Sequence, residues 1–255
     1  MDETQDPPFL PDFWQSVRLL LLEFVAIAII GGVLFLLGLP GGLGSVLSKF
    51  AILWVGWRWT RRTWRETFPV RPIRLAWLPP FALALVGLVL TIHLPSVALA
   101  EVLPPVPAWA KRAFLGAGFL DLVFLVPVVE EALFRGLILR GYLRTYRPAK
   151  AILLCGLVFA ISHVLPWQFP VAFIGGVFLS WLMVETGSLV LPVIGHAFVN
   201  GVAWWMLGHP ATGAAYDRHA ATLWIPGVIL LSLGTILLRR TLRPAPRPSL
   251  TTGVA

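Results

Sequence analysis

The strongest constraint on this chain is the recurrence of apolar stretches about as long as a bilayer's hydrocarbon core is thick. A helix rising 1.5 Å per residue needs about 20 residues to cross roughly 30 Å of hydrocarbon. Apolar runs of that order occur at 17–39, 43–59, 76–100, 113–133, 150–164, 169–184, 189–207 and 221–238. The runs at 150–164 and 169–184 are short, and the proline and tryptophan in VLPWQ between them suit an interfacial turn. They read either as two spans or as a re-entrant pair. Hydrophobic residues make up 58% of the 255 residues and charged ones 13%, too little polar surface for soluble domains of that length. The expected fold is therefore all-α: a polytopic membrane protein of about eight transmembrane helices enclosing a polar intramembrane cavity.

The basic residues supply a second test of that count. With both termini cytoplasmic, eight spans put Arg18, the basic residues of 58–74 and 135–150, and Arg239, Arg240, Arg243 and Arg247 inside. That is sixteen of the twenty Lys and Arg residues, with Lys49, Lys111, Arg112 and Arg218 left outside. Seven spans would put like clusters on opposite sides. The net charge of +8 is thus read as topology and not as a nucleic-acid surface. The expected organisation is a cytoplasmic segment at 1–16, a single transmembrane domain at 17–238 with its catalytic core at about 113–207, and a flexible basic tail at 239–255. The acidic, proline-containing N-terminus lacks the basic region of a secretory signal, so the first span is expected to be retained. Tryptophans such as Trp54, Trp57, Trp59, Trp64, Trp77, Trp109 and Trp167 cluster where spans end, as headgroup anchors do. One cysteine, Cys155, allows no intramolecular disulfide and no Cys-rich metal site.

Ionisable groups inside spans are costly and persist where pairing or function compensates. In PVVEEALFRG (127–136), Glu131 and Arg135 are four apart and share a helical face, so an ion pair is available, while Glu130 points about 100° away. Glu130, if unpaired in an apolar cavity, would suit proton transfer near neutrality; a helix-end salt bridge is the plainer reading. FAISH places Phe159 and His163 on one face, and HAFVN does the same for His196 and Asn200. Alone, each pair fits a structural hydrogen bond equally well. Together they bring a carboxylate, two imidazoles and an amide to separate spans, an inventory suited to hydrolysis. His93, His209 and His219 read as interfacial, Cys155 as a small hydrophobe, and Asp121 and Glu23 have no assigned partner. If the fourth helix ended near 133, Glu130 and His163 would lie at different depths, so a helix running to about 144 is expected, which Leu137, Ile138 and Leu143 permit.

Over about 75 residues, PxxEExxFRG at 127–136, FxxxH at 159–163 and TGSL…P…HxxxN at 186–200 resemble the CPBP family of CAAX prenyl proteases and Abi proteins. The resemblance implies an eight-helix intramembrane endopeptidase in which Glu130 and His163 activate water while His196 and Asn200 stabilise the oxyanion. Glu131, Arg135 and Phe159 then support them. No cofactor is required on this reading. His163, His196 and Glu130 also make a zinc-type ligand set, although the spacing is not HExxH and each donor comes from a different helix. The expected substrate is a lipidated or membrane-anchored protein or peptide, met in the bilayer of a bacterial inner membrane. A non-proteolytic immunity or scaffold protein is the alternative, and a transporter is a third class that would show inverted repeats not found here.

Overall fold

The computed structural model describes residues 11–38, 41–107, 118–163 and 165–242. Most of the 1–16 segment, the start of the fourth expected span with Trp109, Lys111 and Arg112, and the 243–255 part of the tail lie outside the described residues. Every regular element among the described residues is helical.

Helix α1 (Phe13–Leu36) starts at a reciprocal cap: the Gln15 N–H donates to Asp12 Oδ1 and the Asp12 N–H to Gln15 Oε1, both at 2.8 Å. It turns back into α2 (Gly41–Trp59). The two are antiparallel and closely packed, because a Cβ on Gly44 would stand 2.8 Å from Gly31 Cα. A short α3 (Trp64–Thr67) carries a capping box from Thr63 and Glu66. After a 3₁₀ turn, α4 (Leu78–Val102) pairs antiparallel with the last helix, α10 (Ala220–Leu242). Gly87 abuts the backbone of Leu231 and Gly234 that of Ala84, leaving no room for a side chain at either glycine.

Helix α5 (119–145) is continuous through the sequence that carries both glutamates. Asp121–Leu125 and Ala132–Ile138 are wound as π-helix, separated by α-helical Val126–Glu131 and followed by α-helical Leu139–Thr145. Its end at Thr145 agrees with the expected extension to about 144 and leaves Glu130 mid-helix. Helices α6 (Pro148–Ser162) and α7 (Phe169–Thr186) are distinct and packed on each other through Gly156 and Gly176, joined by a 3₁₀ turn at Pro166–Gln168. Gly187, at φ 61°, stops α7 in the left-handed conformation that glycine adopts without strain. Then follow α8 (Val190–Gly208) and the short α9 (Pro210–Arg218).

Five stretches are long and apolar enough to cross a membrane: Phe13–Leu34, Leu75–Val102, Pro166–Thr186, Val190–Gly208 and Ala220–Leu242. The other three expected spans coincide with α2, α5 and α6. Of these, α2 and α5 carry charged residues, and α6 is only 15 residues long. Apolar side chains such as Leu21, Val25, Ile29, Ile225 and Ile229 face outward, as a lipid-exposed surface requires.

Two apolar cores flank the polar centre. Leu19, Leu20, Ile52, Leu53, Leu133, Leu137 and Val158 join α1, α2, α5 and α6. Phe81, Leu85, Leu88, Leu179, Leu182, Leu191 and Leu238 join α4, α7, α8 and α10.

Candidate active site

The i, i+4 spacing of Glu131 and Arg135 produces the expected ion pair, Arg135 Nη1 to Glu131 Oε1 at 2.8 Å, although Arg135 sits in the second π segment. Both side chains are fully buried. Arg135 Nη2 also donates to the Gly176 carbonyl on α7 at 3.0 Å, and the guanidinium lies 4.5 Å from the Phe159 ring centroid. Glu131 has a further partner on α8: His196 Nδ1–H donates to the same Oε1 at 2.8 Å. This bond fixes the imidazole's direction and turns Nε2 toward Glu130, whose Oε2 is 3.7 Å away. That separation is too long for a direct hydrogen bond.

Glu130 departs from expectation in one respect. It is not unpaired: Lys49 Nζ of α2 lies 2.9 Å from Glu130 Oε1 and 2.8 Å from Glu23 Oε1 of α1. Lys49, expected in a loop on the outer side of the membrane, stands part-buried in the middle of α2, where two carboxylates compensate its charge. Sequence reading flagged Glu23 without finding its partner and assigned Lys49 by loop charge. The signal for Lys49 was its position within the 43–59 apolar run. Glu130 Oε2, by contrast, is buried and has no hydrogen-bond partner among the described residues.

His163 ends α6, and its Nδ1–H donates to the Phe159 carbonyl one turn back at 2.8 Å. A carbonyl can only accept, so neutral His163 carries its proton on Nδ1 and presents a lone pair at Nε2. Phe159 packs edge-on against both imidazoles, at 4.7 Å from His163 and 5.6 Å from His196, and so spaces them. Both imidazoles lie within electrostatic reach of Glu130.

Asn200, one turn after His196, donates from Nδ2 to the Leu122 carbonyl of α5 at 3.0 Å. The first π segment accounts for that carbonyl's need of a donor. The Val126 N–H reaches back five residues to Asp121, and the next residue in that register is Pro127, which has no N–H. One amide N–H of Asn200 thus ties α8 to α5.

Phe159, His163, His196 and Asn200 line a cavity of about 310 Å³ that continues between α4, α7 and α8 past Leu88, Val171, Leu179, Val199 and Leu207. Its wall is mostly apolar, where a polar cavity was expected, because the charged groups lie behind His196 and pair with one another. The cavity can therefore take an apolar chain up to two imidazoles and an amide. No group of three His, Cys, Asp or Glu side chains among the described residues is placed to hold an ion. Asp121 is half-buried at the start of α5 and contributes nothing to this cluster, while His93 pairs with Asp217 of α9 at 2.9 Å, away from it.

No curated protein and no solved structure is significantly similar to the chain. One family model matches, described as type II CAAX prenyl endopeptidase Rce1-like, over residues 112–202. The matched segment contains Glu130, Glu131, Arg135, Phe159, His163, His196 and Asn200, and leaves out Glu23 and Lys49. Residues 112–202, about a third of the chain, thus match an Rce1-like domain of the CPBP family.

Proposed function

We propose that the chain is an intramembrane endopeptidase that cleaves a peptide bond near the membrane-anchored end of a lipidated protein or peptide, with Glu130 as general base. The observation that carries this reading is the asymmetry of Glu130: Oε1 is held by Lys49 while Oε2, buried and without a partner, faces His196 Nε2 at 3.7 Å. A water bridging that gap and the His163 lone pair is positioned to lose a proton to Glu130 as its oxygen attacks the carbonyl carbon. The second N–H of Asn200, beside His196, then donates to the oxygen that becomes negative, and Glu130 returns its proton to the amine as the C–N bond breaks. Glu131, Arg135 and Phe159 hold His196 and the α5–α7 contact in place. The apolar cavity suits the lipid chain of a prenylated substrate, the kind named in the matching family's description. Eight crossings, cytoplasmic termini and a bacterial inner membrane complete the proposal, on the strength of the sixteen basic residues assigned to one side.

Purified protein in lipid nanodiscs is expected to release the last three residues of a farnesylated peptide ending in a CAAX motif. Glu130→Gln, nearly isosteric, lowers the rate about 10²- to 10⁴-fold while the protein inserts and unfolds normally. If wild type and Glu130→Gln leave both this peptide and the membrane peptidome of their host cells unchanged, the scaffold alternative replaces the protease. The proposed mechanism needs no metal, so prolonged chelation followed by metal analysis should leave activity intact. A loss restored by zinc would move the reading to a metalloprotease.

A further inference from the structure

We infer that Lys49, anchored from behind by Glu23, is a positioning residue for Glu130, so that the site is completed by α1 and α2, outside the segment that matches the protease family. The inference rests on the hydrolytic reading of Glu130. It starts from an ammonium that is 12% exposed at mid-helix and is contacted by two carboxylates from two other helices, Glu23 Oε1 at 2.8 Å and Glu130 Oε1 at 2.9 Å.

A single carboxylate would neutralise Lys49. The second one, Glu23, is itself 1% exposed and brings another charge into the interior, a cost that simple helix anchoring does not require. What Glu23 adds is direction. With the ammonium held on the α1 side, Lys49 grips only Oε1 of Glu130, and the carboxylate plane is set so that Oε2 is turned to His196. The close crossing of α1 and α2 stiffens this anchor, since the two backbones touch at Gly31, eight residues beyond Glu23, and Gly44, five residues before Lys49. Without Lys49, Glu130 has no charged partner within hydrogen-bond distance, and its carboxyl is free to rotate away from the water it must deprotonate.

The test uses the full chain in nanodiscs and two readouts. The first is modification of Glu130 by dicyclohexylcarbodiimide, an apolar reagent that attacks membrane-buried carboxyls not held in ion pairs, measured by mass spectrometry of the Glu130 peptide. Lys49→Met, similar in length and apolar, should raise Glu130 modification at least tenfold. Glu23→Gln should raise it by a smaller factor alone and add nothing in the Lys49→Met background, because Glu23 acts only through Lys49. The second readout is cleavage of the farnesylated peptide, where Lys49→Met should lower kcat tenfold or more with KM unchanged, the pattern of a lost transition-state effect. Folded Lys49→Met protein with wild-type modification and wild-type kcat overturns the inference, as does an additive effect of Glu23→Gln in the double variant. If wild type cleaves nothing, the hydrolytic reading falls on its own, and the modification pattern still decides whether Lys49 orients Glu130.

Discussion

The α1–α2 and α4–α10 pairs are both antiparallel and both closed at glycines, Gly31 with Gly44 in one and Gly87 and Gly234 in the other. At the α4–α10 seam the contacts at Ala84, Leu90 and Leu231 are apolar, whereas the α1–α2 seam holds Glu23 against Lys49. The difference follows from what each pair faces. Gly56 of α2 lies against Leu137 of α5, one helical face from the glutamates, so a charge in α2 can reach a partner in the site. The α4–α10 pair meets the apolar part of the cavity through Leu88 and carries no charge to it. Close helix packing in a bilayer needs only small residues; buried charge is added where it reaches the chemistry.

That contrast can be broken most severely on the helix between the two pairs. Arg135→Met strips the fully buried Glu131 of one cation and the Gly176 carbonyl of its side-chain donor. It is expected to cost about 3–5 kcal/mol, read as a lowered unfolding temperature in detergent together with loss of cleavage. Overpacking either seam is expected to cost less, about 1–3 kcal/mol. Gly87→Leu should lower stability while cleavage per folded molecule stays near wild type. Gly44→Leu, which pushes α1 off α2 and separates Glu23 from Lys49, should lower both. Equal catalytic losses in the two glycine variants would erase the proposed distinction between the pairs.

The smallest effect is expected away from both seams. Thr63→Ala removes the cap of α3 at about 1 kcal/mol without touching cleavage. The Thr63 hydroxyl and backbone N–H hold the exposed Glu66 carboxyl below its ordinary value. Stability from this cap is therefore present above that ordinary value and lost as pH falls from it through the lowered one. The penalty of Thr63→Ala should shrink in acid, and a pH-independent penalty would show that the carboxylate plays no part.

Much of the site could be read in the chain because its key spacings are local. Glu131 and Arg135 announce their pair by a separation of four, and Leu137, Ile138 and Leu143 carry α5 past the end of the apolar run, to Thr145. What could not be read involves either distance along the chain or a change of helical register. Lys49 lies 26 residues from Glu23 and further from Glu130, and counting basic residues as loop markers sent it to the wrong place. The expectation of an unpaired Glu130 failed with it. Asn200 was read as an oxyanion donor or as one end of a structural helix–helix hydrogen bond whose partner the sequence did not name. Its bond to Leu122 depends on a π turn ahead of Pro127, which no apolar periodicity records.

The π winding of Ala132–Ile138 also sets the direction in which the site's acids point. A π segment holds one residue more than the α-helix it interrupts. Removing one residue there would let α5 rewind as plain α-helix with the direction of everything before it nearly kept, whereas rewinding with every residue kept would turn that part by about 100° relative to Leu139–Thr145. Glu130 and Glu131 would then face the neighbours of different helices with their own sequence untouched. In this helix the winding between 132 and 138 aims the acids, and it is as much a part of the site as the glutamates are.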